Sequence, residues 1–462
     1  MVTEADATQV LGVSAGRRFP VAWFIFLFWA AVTINGAVMM WLWLRDGGVT
    51  QVHNASELWT SAGRITGLLG AYLALLQVLL LARLPPLERQ VGFDRLTVWH
   101  RRNGKLVIYL VVAHVVLITI GYAGGVHISV WRQFSDFLSS YSGMITATVG
   151  TGMMIAIVLS SIVIVRRRLP YEAWYSLHLT LYAAIFLAYL HQIPNGNEFL
   201  TSTSQSDWWI GLYIVTLALV IFSRLWRPAM QAGRHRLRVV EVRRETHDTV
   251  SVLIEGRRLD RLHAQAGQFM LWRFLNSKLW WQSHPFSLST APNGRFLRIT
   301  VKSVGGFTRH LQEIRPGTRV VAEGPFGRFV SSRRRHERVT LIAGGIGITP
   351  LRAILEDLSG LPGSITFIHR VIADEDRVLR EEVEALAAER GAALHYLVGD
   401  HRDPAAAGLL SAQSLRELVP EITDSDVFLC GPAGMMQYTR ASLEAAGVPR
   451  RQVHSERFAL AA

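Results

Sequence analysis

HRRNGKLVIYLVVAHVVLITIGY, residues 100–122, opens on a histidine and two arginines and then runs from Leu106 to Tyr122 without a charged side chain. A helix needs about 20 apolar residues to cross the hydrocarbon core, so this stretch, taken as residues 105–123, is predicted to span a membrane. Working outward, five more apolar stretches have similar length: 20–44, 64–82, 144–165, 172–191 and 208–226. Their interiors hold no Asp, Glu, Lys or Arg apart from Arg224 near the end of the last. The first is too long for the h-region of a cleaved signal peptide, and no small-residue cleavage site follows it. Composition agrees: half of the 462 residues are apolar and 18% are charged, below the roughly 25% usual in soluble domains.

The loops give the orientation. Segments 83–105, 166–172 and 224–238 carry 6, 3 and 5 Lys/Arg, whereas 45–63, 124–143 and 192–207 carry two between them, Arg45 and Arg132. By the positive-inside rule the basic set is cytoplasmic, which puts both termini in the cytoplasm and makes the third and fifth spans run outward together. The net charge of +13 is thereby read as topology in a plasma membrane, not as a nucleic-acid surface. The single cysteine excludes an intramolecular disulfide, a four-cysteine iron–sulfur cluster and a cysteine-rich zinc site. Metal chemistry is left to the histidines.

Four histidines fall on the two parallel spans: His100 and His114 on the third, His178 and His191 on the fifth. An ionisable group inside a membrane helix is a functional hypothesis by default. His100 and His114 are separated by about 21 Å of helix and only about 40° around it, so both can face one neighbour. Pairing at matched depth joins His100 to His178 on the inner side and His114 to His191 on the outer side. Each pair is a bis-imidazole axial set for a b haem. His178 and His191, 13 residues apart, diverge by about 140° on an ideal helix. Either a π-bulge or an irregular outer end before Pro194 and Gly196 has to correct this. Arg64 at the outer start of the second span and Arg101 beside His100 are candidate partners for haem propionates.

After about residue 235 the hydrophobic period shortens. RLRVVEV, TVSVLIEG, GQFMLWRF, HPFSLST, FLRITVKSV and TRVVAEGPF read as six strands of a small antiparallel barrel. From about 338, strands alternate with helical segments (VTLIAGG, SITFIHRV, ALHYLVG, DVFLCG), the pattern of a doubly wound α/β sheet. In VKSVGGFT, glycines 305 and 306 let backbone amides approach a pyrophosphate, Thr308 stands at a helix start, and Lys302 adds charge. In VTLIAGGIGITPLRAIL, Gly344, Gly345 and Gly347 make a turn into a helix with Thr349 as N-cap and Pro350 as first helical residue. Its amides and dipole then face dinucleotide phosphates. Arg370, ending the next strand, suits a 2′-phosphate and hence NADPH over NADH, with Arg377 and Arg380 as competitors. Cys430 closes a strand at the usual ligand edge.

HPFSLS (284–289), GGFT (305–308), GGIGITP (344–350), CGPAGM (430–435) and ERF (456–458), in this order, resemble the ferredoxin–NADP reductase superfamily. Joined to six spans with His-x13-His and His-x12-His, the chain resembles the ferric reductase/NADPH oxidase family from about residue 20 onward. The resemblance implies an FAD strand in which His284 serves the phosphates or ribityl chain and Ser287 the isoalloxazine edge, with Pro285, Phe286 and Phe307 in the same site. It sets Cys430, Gly431, Pro432 and Met435 beside the nicotinamide. It makes Phe458 the flavin-stacking aromatic, although ALAA follows it here.

The expected organisation is a flexible cytoplasmic N-terminus (1–19), a six-span haem-binding domain (20–230), an FAD-binding β-barrel (234–331) and an NAD(P)H-binding α/β domain (336–462). The expected activity carries electrons from cytoplasmic NADPH through FAD and two b haems to an acceptor across the membrane: dioxygen, ferric iron or a quinone. The alternative is a membrane-anchored electron donor to a partner redox protein, with no free substrate of its own.

Overall fold

The computed structural model describes residues 21–161, 171–200, 202–360, 362–400 and 402–456. They form two compact units, Met1–Val91 with Arg95–Val220, and Gly92–Asp94 with Ile221–Ala462.

The first unit is helical: α1 (Val21–Arg45), α2 (Ala55–Leu80), α3 (Pro85–Val91), α4 (Phe93–Gly125), α5 (Val130–Ser140), α6 (Met144–Ser160), α7 (Tyr171–Leu179), α8 (Leu181–Tyr189) and α9 (Thr203–Ile221). Among the described residues, five helical segments are long and apolar enough to cross a membrane: Phe26–Arg45, Ala55–Leu80, Arg95–Gly125, Ala173–Asn195 and Thr203–His235. The sixth span expected from sequence, 144–165, is helical over Met144–Ser160 and forms with α5 a pair bent by 116°. Residues 162–170, the rest of that span and most of a basic loop, lie outside the described residues. Large apolar side chains point outward along these helices, among them Phe26, Ile34, Tyr109, Ile145 and Leu217. Such all-round hydrophobicity is expected where lipid is the solvent.

Small residues bring the helices together. A Cβ on Gly63 would stand 2.7 Å from Ile118, and one on Gly67 would stand 2.5 Å from the His114 ring. The α2 backbone therefore lies directly on α4, the small-xxx-small mode of helix contact in membranes. On the other side of the bundle, Gly150 of α6 meets the Ala184 carbonyl of α8.

The second unit begins with α10 (Arg227–His235) and six strands: β1 (Arg238–Thr246), β2 (Thr249–Glu255), β3 (Phe269–Phe274), β4 (His284–Ser287), β5 (Phe296–Lys302) and β6 (Val320–Phe326). The six expected strands are present, as two three-stranded antiparallel sheets, β1-β2-β5 and β4-β3-β6. Bridges at Arg238–Arg319 and Leu288–Ile299 join them around a core that includes Ile254, Met270, Trp272, Phe274 and Ile299. Helix α11 (Gly306–Leu311) closes one end with Phe307 and Leu311.

Strands β7 (Arg338–Gly344), β8 (Ile365–Val371), β9 (Ala393–Val398), β10 (Ser425–Cys430) and β11 (Val453–Glu456) form one parallel sheet in the order β11-β10-β7-β8-β9. Alternate residues feed opposite faces: Leu341, Ala343, Phe428 and Cys430 enter one core, and Ile342, Val427 and Leu429 the other. Helices α12 (Ile348–Asp357), α13 (Arg380–Arg390) and α14 (Ala433–Ala445) serve these faces. The chain winds outward from β7 to β9 and then returns to β10 on the other side of β7. Ligands bind at such a switch point, outside the carboxyl ends of the strands.

Candidate functional site

The membrane histidines meet in the two pairs their spacing suggested. The His100 and His178 ring centroids lie 6.1 Å apart, and those of His114 and His191 lie 6.3 Å apart. A first-row metal binds imidazole nitrogen at about 2 Å, so a metal between two facing rings sets their centroids roughly 6 Å apart. Backbone carbonyls orient three of the rings through Nδ1: Gln77 for His100 (3.1 Å), Gly63 for His114 (2.8 Å) and Ala188 for His191 (2.5 Å). A ring that donates from Nδ1 keeps the Nε2 lone pair for a metal. His178 stacks on Trp174 at 5.0 Å, and its buried Nδ1 has no hydrogen-bond partner among the described residues. These residues fit two axial haem pairs.

The helical register is corrected by interruption. The chain breaks from helix at Thr180, whose hydroxyl donates back to the Leu177 carbonyl (2.7 Å), and again at Leu190–His191. A five-residue π turn does occur, at Phe222–Trp226 in the last span, away from these histidines. Of the two expected propionate partners, Arg101 is exposed. Arg64 is committed to an acid that the sequence reading passed over. Its Nε donates to Glu198 at 2.7 Å and its Nη2 to the Asp46 carbonyl at 3.0 Å, with Glu198 only 2% exposed.

In the two-sheet FAD-binding domain, HPFS and GGFT come together. The His284 ring stacks on Phe307 at 3.9 Å, and Phe307 lies 6.1 Å from Phe286. Pro285 pairs with Leu271 across β3, fixing the strand that ends in Ser287. The Ser287 hydroxyl is buried with no partner among the described residues, and a Cβ on Gly305 or Gly306 would meet nothing within 4 Å. An orphaned buried hydroxyl on one motif and open backbone on the other are what a flavin ring and its phosphates require. Thr308 serves the loop itself, accepting from the amides of Val304 and Gly305 at 2.9 Å each. Lys302 lies 3.3 Å from Asp248 and 3.6 Å from Asp376, so its charge is shared with carboxylates. Ser287→Ala is expected to lower FAD retention or slow flavin reduction several-fold, because a typical hydrogen bond contributes about 1 kcal/mol. Flavin fluorescence after gel filtration and stopped-flow reduction measure it, and unchanged values for both would remove Ser287 from the site.

At the switch point, the Gly344 and Cys430 ends of β7 and β10 close on each other. A Cβ on Gly344 would strike Met435 and stand 3.0 Å from Pro432, while one on Gly431 would stand 3.0 Å from Gly344. Of the three turn glycines, Gly347 is small for loop packing, since a Cβ there would collide with the Cys430 carbonyl. Gly345, at φ +50° with open space around its Cα, is the position that faces outward. Helix α12 starts earlier than expected. Gly347 is its N-cap and Ile348 its first residue, which places Thr349 and Pro350 inside the first turn, where a proline needs no amide hydrogen. Thr349 donates back to the Ile346 carbonyl at 3.1 Å. Burial pushes the Cys430 thiol well above its ordinary range, so it stays protonated.

Arg370 stands level with Gly344 in the sheet register, and its Nη1 rests on the carbonyls of Val371 (2.5 Å) and Leu397 (3.1 Å). Arg377 lies over the Tyr396 ring at 4.2 Å and pairs with Asp374, and Arg380 bonds Glu384 at 2.8 Å. Sequence reasoning missed His369, which is 1% exposed and contacts the Gly345 backbone, and which burial lowers to about 4. A neutral histidine therefore supports the glycine turn. Phe458 lies outside the described residues.

Three family models match the chain in sequence order: a ferric reductase like transmembrane component over residues 66–190, an FAD-binding domain over 234–330 and an oxidoreductase NAD-binding domain over 341–441. The chain is 34% identical over 183 residues to a flavohemoprotein of Vibrio cholerae, covering 37% of this chain and 45% of that protein. It is 29% identical over 248 residues to an NADPH oxidoreductase of Mycobacterium tuberculosis, covering 52% and 64%. The chain spans about half the length of the curated relatives it matches. Among solved structures, the FAD/NAD binding domain of nitric oxide dioxygenase from Vibrio cholerae aligns with 48% of this chain and 98% of its own, at 27% identity and a TM-score of 0.41. The chain is therefore a membrane oxidoreductase with FAD- and NAD-binding domains.

Proposed function

For a chain with the domain order of the ferric reductase/NADPH oxidase family, we propose that electrons pass from NADPH on the cytoplasmic side to an acceptor on the opposite side of a plasma membrane, dioxygen or a ferric chelate. The observation that carries this reading is the pair of facing imidazole sets, 6.1 and 6.3 Å between centroids, held by two membrane helices. When bound, FAD divides a hydride into single electrons and the b haems relay them. The chain's own residues supply position and insulation. His100 with His178 holds the inner haem and His114 with His191 the outer one, each oriented ring presenting Nε2. The Ser287 hydroxyl donates to the flavin edge, and His284 with Phe307 supports the ring side of the GGFT loop. The Cys430 thiol, kept protonated by burial, lines the nicotinamide edge without becoming a nucleophile. His369 fixes Gly345, whose outward face receives the pyrophosphate.

The test is anaerobic addition of NADPH to the purified full chain, followed by oxygen or ferric citrate, with haem absorbance recorded. The haem bands are expected to shift to the reduced form and return on adding the acceptor. A preparation without haem, or haem that NADPH cannot reduce, overturns the reading. The preference for NADPH rests on Arg370, whose guanidinium can trade two backbone carbonyls for a 2′-phosphate. Arg370→Ala is expected to lower kcat/KM for NADPH about tenfold, which is about 1.4 kcal/mol, and to leave NADH unchanged. Equal losses for both dinucleotides in steady-state assays would make Arg370 a structural residue.

A further inference from the structure

The last candidate span, Thr203–His235, has 33 residues and is about 50 Å long at 1.5 Å per residue. The hydrocarbon core takes about 30 Å, so roughly a third of the helix extends past it. The basic stretch 224–238, with five arginines, marks which end that is. Here the π turn Phe222–Trp226 leads into α10, and the Arg227 amide donates to the Phe222 carbonyl. Residues five apart diverge by about 140° on an α-helix, whereas a π turn, closing its hydrogen bond over five residues, sets them nearly one above the other. Phe222 thereby joins the face made by Arg227, Met230, Gln231 and Arg234. These five side chains line a cavity of about 210 Å³.

One wall of this cavity is fixed to β6. Gln231 Nε2 donates to the Gly324 carbonyl of β6 at 2.9 Å, and Arg227 Nη2 reaches the same oxygen at 3.3 Å. The Gln231 carbonyl oxygen is left buried without a partner among the described residues. The apolar part of the lining is open: Phe222 and Met230 are nearly half exposed. Two guanidiniums, a side-chain amide and the half-exposed phenylalanine and methionine of the same lining match an amphiphile with an anionic head.

We propose that this cavity binds the phosphate headgroup of an anionic phospholipid, with Arg227 and Arg234 on the phosphate and the acyl chains along Phe222 and Met230. Guanidiniums pair with phosphate through charge-assisted hydrogen bonds, and basic pockets at the ends of membrane helices take anionic headgroups in this way. Free phosphate satisfies the arginines but leaves the apolar lining uncovered. The π turn then has a reason to be there, since an uninterrupted α-helix would turn Phe222 away from the cavity.

The test uses the purified full chain in phosphatidylcholine nanodiscs that contain a minor fraction of phosphatidylglycerol, with lipids retained after mild detergent release counted by native mass spectrometry. Phosphatidylglycerol should be retained about tenfold over phosphatidylcholine. Arg234→Gln should abolish the preference, Arg234→Lys should keep part of it, and Phe222→Ala should weaken retention with flavin content unchanged. Equal retention of both lipids, or full phosphatidylglycerol retention in Arg234→Gln, overturns the proposal. Complete displacement by millimolar inorganic phosphate overturns it in favour of a simple anion site. Lipid retention is read without electron transfer, so a failed haem assignment would leave this result standing.

Discussion

Replacement of His114 or His191 by Ala should reduce haem content from two per chain to one and lower delivery to an external acceptor by about a hundredfold or more. In the proposed arrangement each facing pair would supply both protein ligands of one haem, so losing either ring would leave one of the two. FAD should remain reducible by NADPH, because its strand and glycine loop belong to the other compact unit. Replacement of His100 or His178 should have a different signature: the outer haem is retained but stays oxidised after NADPH addition. The measurements are a pyridine haemochromogen assay against protein concentration and anaerobic spectra of each variant. Two haems surviving in any single variant would show that the facing rings are not ligands. Identical spectra for inner and outer variants would remove the assignment of one pair to each depth.

Sequence made the ring pairs legible because two local periods determine them. One is the run of apolar residues that makes 105–123 a helix in lipid, and the other is the 14-residue step that returns His114 near the face of His100. The fifth span was legible only in part. Its histidine step misses the face by about 140° on an ideal helix, and the correction depends on backbone breaks at Thr180 and Leu190–His191 that no residue type announces. Glu198 carries no local signal because its partner, Arg64, is 134 residues away. The packing role of Gly347 and the presence of His369 were not legible for the same reason: the Cys430 carbonyl that one meets and the glycine turn that the other supports come from different strands. The glycine motifs showed where strands end and ligand edges begin, but not which glycine faces a ligand and which faces a neighbouring loop.

Glu382 shows the same blindness at larger energetic scale, since in REEVEAL it reads as one of several solvated helix acids. In the structure it accepts from Arg298 at 2.7 and 2.8 Å and from Arg243 at 2.6 Å, and lies 3.0 Å from Arg352. The clasp joins β1 and β5 of one three-stranded sheet to α12 and α13 of the nucleotide-binding domain, with Arg298 and Arg352 buried. Burial pushes the Glu382 carboxyl up, but hydrogen bonds and charge from Arg298, followed by Arg243 and Arg352, outweigh it and hold the group at about 2. A carboxyl depressed in the folded state stabilises it fully above its ordinary value near 4.5 and loses that contribution as pH falls toward 2. Glu382→Gln leaves the buried Arg298 guanidinium without its carboxylate, while Arg352 keeps Glu356, and is expected to destabilise the flavin- and nucleotide-binding unit by about 3 kcal/mol at neutral pH. In a unit of this size that lowers the midpoint of flavin release on heating by roughly 10 °C. The difference between wild type and variant should be constant above pH 5 and shrink steadily below it, as wild-type Glu382 takes up its proton. A difference that stays the same down to the acid limit of folding would mean that the glutamate acts by shape and hydrogen bonding, not by charge.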